Sequence, residues 1–197
     1  MSDADRADQR LPVIVLCGYD ADDEVWDPVE DLSGSHWRPH GALAVSLAPS
    51  DADSLYETLA EQLRDRRCRA LLLVGRGRSP DRFSVQMRAE NRALSGSGRM
   101  NVDLPCLARA TLPVADVVAA LNDVGLKVDA TSEAEPDVGS YLLFRILAEL
   151  PDVTEAPAVG LLRVPADVSL DTARRGVKAA ASAIAAQLAP MPRLQHA

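Results

Sequence analysis

The sequence predicts an α/β protein: a three-layer sandwich in which a mostly parallel central sheet is flanked by helices on both faces. Three observations point there. Uninterrupted apolar runs alternate along the chain with stretches whose apolar residues recur every three or four positions, the pattern of strands and helices taking turns. The apolar runs lack the every-other-residue polarity of a half-exposed strand, so both faces are expected to be covered. Hydrophobic residues make up 47% of the chain and aromatics only 4%, so the core must be built from Leu, Val and Ala.

The elements follow in order. LPVIVLC (11–17) is the first strand, ending at Gly18. ALAVSL (42–47) is the second. Ser50 and Asp51 then cap a helix carrying Leu55, Leu59 and Leu63 at four-residue spacing. CRALLLVG (68–75) is the third strand. Pro113 opens a helix with Val114, Val117, Val118, Leu121 and Val124 on one side, and Gly125 stops it. LKVDATS (126–132) is the fourth strand, followed by a helix marked by Val138, Tyr141, Leu142 and Ile146. PAVGLLRVP (157–165) is the fifth strand, and residues 169–188 form the last helix, with Leu170, Ala173, Val177, Ala181, Ile184 and Leu188 inward. Residues 19–41 read as a long loop, and residues 76–110 as a hairpin and irregular chain.

Size and charge narrow the organisation. The 197 residues suit one domain, expected over residues 11–189, with flexible tails at 1–10 and 190–197. The formal net charge of −8 argues against nucleic acid and anionic membrane surfaces. No apolar run approaches the roughly 20 residues that span a bilayer. The start, MSDADRADQR, lacks the apolar segment of a signal peptide, so the cytoplasm is the expected compartment. Cys17, Cys68 and Cys106 are too few and scattered for a disulfide framework or zinc site. Cys17 and Cys68 read as buried, inert thiols. His36 and His40 read as solvated loop residues, and neither a metal nor a cofactor is expected.

Several segments, in order, resemble the pyroglutamyl peptidase I (pyrrolidone-carboxylate peptidase) family. They are Gly18-Tyr19-Asp20-Ala21-Asp22 after the first strand, Asp27-Pro28-Val29, and the turn Gly75-Arg76-Gly77-Arg78. Next come Gln86-Met87-Arg88-Ala89-Glu90-Asn91, then Leu112-Pro113-Val114 with Gly125. Ser132, Ala134, Glu135, Gly139 and Ser140, and finally Gly160-Leu161-Leu162-Arg163-Val164-Pro165, complete the series. The resemblance spans roughly residues 11–188. It implies a cytoplasmic α/β cysteine peptidase that removes N-terminal pyroglutamate, commonly self-associated, so a homo-oligomer is among the expected states.

The resemblance also implies a Cys nucleophile at a helix start, a His base on a late strand and a Glu that orients it. Those positions hold Gly139, Arg163 and Gln86 here. Glycine supplies no nucleophile, a guanidinium cannot accept a proton at physiological pH, and an amide lacks the charge that steadies an imidazolium. Asp22 stands where the family clasps the substrate ring with Phe. The chain is therefore expected to be a catalytically degenerate pseudoenzyme with a binding or scaffold role. Tyr19, Arg76, Ser140 and Arg163 are the candidate binding residues of a vestigial pocket, there to hold a small anion such as a carboxylate or phosphate. The plainer reading pairs Arg163 with Glu135 or Asp137. A protein partner is the other expected ligand. The alternative function is an active hydrolase of the same family with relocated catalytic residues, Ser140 among them, although a Ser at a helix start is more often a cap.

Overall fold

The computed structural model describes residues 11–19, 26–30, 32–33, 37–48, 50–94, 98–151 and 156–188. The two tails, Asp22 and His36 lie outside the described residues. The central sheet holds six strands: β1 (Val13–Gly18), β2 (Leu43–Leu47), β3 (Cys68–Arg76), β4 (Phe83–Gln86), β7 (Val128–Thr131) and β8 (Ala158–Val164). Their order is β2-β1-β3-β8-β4-β7. The first four run parallel, and β4 then pairs antiparallel with β8 and parallel with β7. A separate hairpin joins β5 (Arg88–Glu90) to β6 (Leu107–Arg109). Four helices, α1 (Ala52–Arg64), α2 (Val114–Asp123), α3 (Val138–Glu149) and α4 (Leu170–Leu188), cover the sheet.

Side chains alternate across a strand, and the alternation assigns each helix to a face. Ile14, Leu16, Leu72, Val74, Leu162 and Val164 point to one side, where Val117 and Leu121 of α2 and Val177, Ala181 and Ile184 of α4 bury them. Val15, Cys17, Leu71, Leu73, Val159 and Leu161 point to the other, against Leu55 and Leu59 of α1 and Leu142, Leu143 and Ile146 of α3. This is the three-layer sandwich, and the expected fold class is met.

Local chemistry sets the helix ends. Asp51 caps α1, its Oδ1 accepting from the Ser54 N–H at 3.0 Å. Gly125 follows α2 with φ +76°, a left-handed conformation that glycine adopts without penalty. Asp137 caps α3, its Oδ1 accepting from the Ser140 N–H at 2.9 Å.

One expectation is incomplete. Residues 76–110 hold the expected hairpin within irregular chain, but they also contribute β4, a strand of the central sheet. β4 has only four residues, and its pairing with β8 joins Ser84 to Arg163 and Gln86 to Leu161, distant partners that no local periodicity announces. Its Phe83 and Val85 enter the α2/α4 side of the core, so Gln86 turns to the α1/α3 side.

Candidate functional site

The carboxyl ends of parallel strands in such a sheet are where a crevice forms. β1 delivers Tyr19 there and β3 delivers Gly75, while β8 delivers Arg163, in register with Gly75. β4 ends at Gln86, and the first turn of α3 brings Gly139 and Ser140 under its Asp137 cap. Gln86, Gly139, Ser140 and Arg163 therefore converge from three separate elements.

Arg163 is the hub. Its side chain is 2% exposed, yet every N–H edge is used. Nη1 donates to Asp137 Oδ2 at 2.5 Å and to Tyr19 Oη at 3.0 Å. Nη2 donates to Asp137 Oδ1 at 3.0 Å and to Ser140 Oγ at 2.8 Å. Both Nε and Nη2 reach Gln86 Oε1, at 3.2 and 3.1 Å. Glu135 Oε2 stands 3.6 Å from Nη1. The pairing with Asp137 is the bidentate fork that suits a planar guanidinium. Burial by itself would lower the Arg163 pKa, but the Asp137 hydrogen bonds and neighbouring negative charge outweigh it and the net shift is upward. This side chain stays a cation.

The two polar neighbours are equally committed. Ser140 Oγ donates to Gln86 Oε1 at 3.2 Å while accepting from Arg163. The hydroxyl proton thus points at an amide oxygen, which is no base, and its lone pair faces a permanent cation. Gln86 Nε2 donates to the Arg88 carbonyl at 2.8 Å, which fixes which end of the amide faces the cluster.

Tyr19 closes the space beneath. Its ring is 3% exposed and lies between Gly75 and Gly139. A Cβ on Gly75 would fall within the ring, and one on Gly139 would come within 2.7 Å of Cε1 and 2.8 Å of Oη. No real side-chain carbon tolerates such approaches, so both glycines are needed for the ring to sit there. The volume where a side chain at position 139 would project is filled by a phenol. A cavity of about 340 Å³ remains beside the cluster, lined by Glu90, Arg92, Leu94, Glu135, Asp137 and Ser140.

Two sequence expectations change here. Arg76 does not join Arg163. Being one residue past Gly75, it leaves the opposite face of the sheet and its guanidinium lies 4.9 Å over the Trp26 ring. Nor is Arg163 open to an incoming anion: it pairs with Asp137, the plainer of the two expected readings, and Arg92 of the neighbouring cavity pairs with Glu90. Tyr19 and Ser140 are at the cluster as expected, but as packing and hydrogen-bonding partners. The role of Tyr19 as a plug was missed; its only trace in the sequence is the pair of glycines, which are far apart along the chain.

The remaining chemistry-bearing residues lie elsewhere. His40 is exposed in a one-turn 3-10 segment, Pro39–Gly41. Cys17 and Cys68 are buried, and desolvation pushes their thiols up to about 12 and about 11, so neither is a ready thiolate. Cys106 is exposed, 2.8 Å from Arg99 Nη2. No group of three or more metal-binding side chains occurs among the described residues. No described helix is long and apolar enough to cross a membrane.

No protein-family model and no curated sequence matches this chain. Solved structures do. Pyroglutamyl peptidase I from Bacillus amyloliquefaciens superposes with a TM-score of 0.77 at 19% identity, covering 89% of this chain and 97% of that one. Pyrrolidone carboxyl peptidase from Thermococcus litoralis gives 0.76 at 15% identity over 90% and 95%. The Thermus thermophilus pyrrolidone carboxyl peptidase gives 0.68 at 21% over 86% and 98%. Over about nine-tenths of its length, this chain has the fold of the pyrrolidone carboxyl peptidases.

Proposed function

We propose that this chain is a catalytically degenerate protein of the pyroglutamyl peptidase type, working by binding or as a scaffold and not by cleaving peptides. The observation that carries the reading is the Arg163–Asp137 pair, buried at the centre of the crevice and tied to Gln86, Ser140 and Tyr19. Peptidase chemistry at this place needs a nucleophile, a base and room for a carbonyl. Position 139 carries no nucleophile, position 163 carries a cation that holds its protons, and the Tyr19 ring fills the adjoining space.

The alternative, hydrolysis through Ser140, finds no support in this geometry, since Ser140 Oγ contacts an amide oxygen and a guanidinium. The expected ligand class shifts because the two cations beside the remaining cavity are already paired, Arg163 with Asp137 and Arg92 with Glu90, which leaves an anion no open guanidinium there. A protein partner, a second copy of the chain included, is the occupant we favour, in a cytoplasmic setting.

Incubation with pyroglutamyl-β-naphthylamide, beside an active pyrrolidone carboxyl peptidase, tests the reading. Release at the uncatalysed rate is expected. Turnover abolished by Ser140→Ala would establish the alternative.

A further inference from the structure

At the opposite end of the sheet, the connection from α1 into β3 carries four arginines in six residues: Arg64, Arg66, Arg67 and Arg69. In a chain of net charge −8 such a cluster is unexpected. Arg67 is neutralised locally, gripping Asp65 through Nε at 3.0 Å and Nη2 at 2.7 Å. None of the other three forms an ion pair with a described residue. Arg69 is half-buried, and its Nε is shielded from water with no hydrogen-bond partner. An unsatisfied buried donor on a charged group is costly, at about 1–3 kcal/mol or more.

These arginines border a cleft of about 450 Å³, whose lining includes Leu63, Arg64, Arg66, Arg69, Pro157 and also Asp65, the carboxylate that Arg67 already holds. Leu63, Arg64, Pro151 and Pro157 also line a second cavity of about 320 Å³, so the two adjoin. The second cavity is mainly apolar, walled by Tyr56, Ile146 and Leu150, with Glu149 also in its lining. Each volume falls within the range of small-molecule sites, which pair an apolar wall with a few polar groups. The groove thus has one oily half and one cationic half. A lone phosphate would leave the oily half empty, and a neutral apolar molecule would leave Arg64, Arg66 and Arg69 without an ion pair among the described residues.

We propose that this groove binds a small amphiphilic anion, its carboxylate or phosphate head between Arg64, Arg66 and Arg69 and its apolar body against Leu63, Leu150 and Pro151. The head stays at the arginine end, away from Glu149. Guanidinium forks suit either oxyanion. The site lies about 20 Å from the Arg163 cluster along β3, from Arg69 to Gly75, and does not depend on how that crevice is read.

Calorimetric titration of the full chain with hexyl phosphate and with hexanoate provides the test. At least one should bind saturably, and the stronger of the two identifies the head group. Arg64→Gln and Arg66→Gln alter exposed residues and leave the fold intact; each should weaken binding about tenfold, as expected for losing a hydrogen bond to a charged group. Arg69→Gln should do the same, with circular dichroism to verify folding. Arg82→Gln, distant from the groove, should change nothing. Inorganic phosphate and 1-hexanol should each bind at least about tenfold more weakly than the amphiphile. Absence of binding by both amphiphiles, binding indifferent to Arg64 and Arg66, or equal binding by phosphate alone would overturn the proposal.

Discussion

Replacing Asp137 by Asn isolates the charge at the centre of the structure. Asn caps helices as well as Asp, so the Ser140 N–H keeps an acceptor and α3 keeps its start. What disappears is the negative charge facing a guanidinium whose side chain is 2% exposed. At an effective dielectric of 20, unit charges about 4 Å apart attract by about 4 kcal/mol. Asp137 is itself 30% exposed, and Glu135 remains 3.6 Å away, so part of that is screened or replaced. Stranding a buried partner typically costs about 3–5 kcal/mol, and here a loss of about 2–3 kcal/mol is expected. For a domain of this size that lowers Tm by roughly 4–12 °C. Equilibrium urea unfolding measures it, with Asp129→Asn as the control, because Arg82–Asp129 is an exposed pair and should yield at most about 0.5 kcal/mol. Adding Arg163→Met to Asp137→Asn should recover at least half of the loss, since no charge is then stranded. A midpoint for Asp137→Asn indistinguishable from the control would refute the claim that Asp137 neutralises a buried Arg163.

Three further outcomes follow from the same structure. Ala in place of Gly at an ordinary helix position is stabilising, but Gly139→Ala should destabilise by about 1–3 kcal/mol because its Cβ meets the Tyr19 ring; in a Tyr19→Ala background the same change should cost at least about 1 kcal/mol less, read as a double-mutant cycle. Of the three thiols, a thiol reagent at pH 8 should label only Cys106 in the native protein and all three in denaturant. Because folding raises the Cys17 and Cys68 pKa values to about 12 and about 11, the unfolded chain alone loses those protons above about pH 9. Stability should therefore be unaffected by these groups below pH 8 and fall between pH 9 and 11, by up to about 1.4 kcal/mol per pH unit for each thiol. A flat unfolding midpoint across that window would contradict their burial.

How much was legible beforehand depends on the range of the interactions. β1, β3 and β8 announce themselves because strands covered on both faces must be apolar throughout, and Leu71 to Val74 or Val159 to Leu162 carry that need in consecutive residues. The four helices follow from their three-to-four-residue spacing. β4 escaped notice because Phe83-Ser84-Val85-Gln86 is too short to show a period, and its identity lies in pairing with β7 and β8. At the site, the residue types at 86, 139 and 163 were readable, and so was an acidic neighbour for Arg163. The parity of Arg76 was not, because one position along a strand decides which face it takes and nothing in Gly75-Arg76-Gly77 fixes where the strand ends. The Tyr19 plug was hidden for a related reason: it joins three residues that only the assembled sheet and α3 bring within contact.

The most direct measurement of the central claim is prolonged incubation of the purified chain at high concentration with a pyroglutamyl dipeptide, following free 5-oxoproline by NMR. A crevice built around the Arg163–Asp137 pair, with a phenol where a nucleophile would project, should release it no faster than buffer alone. Release at a rate proportional to protein concentration, reduced by Ser140→Ala or by Arg163→Met, would contradict it.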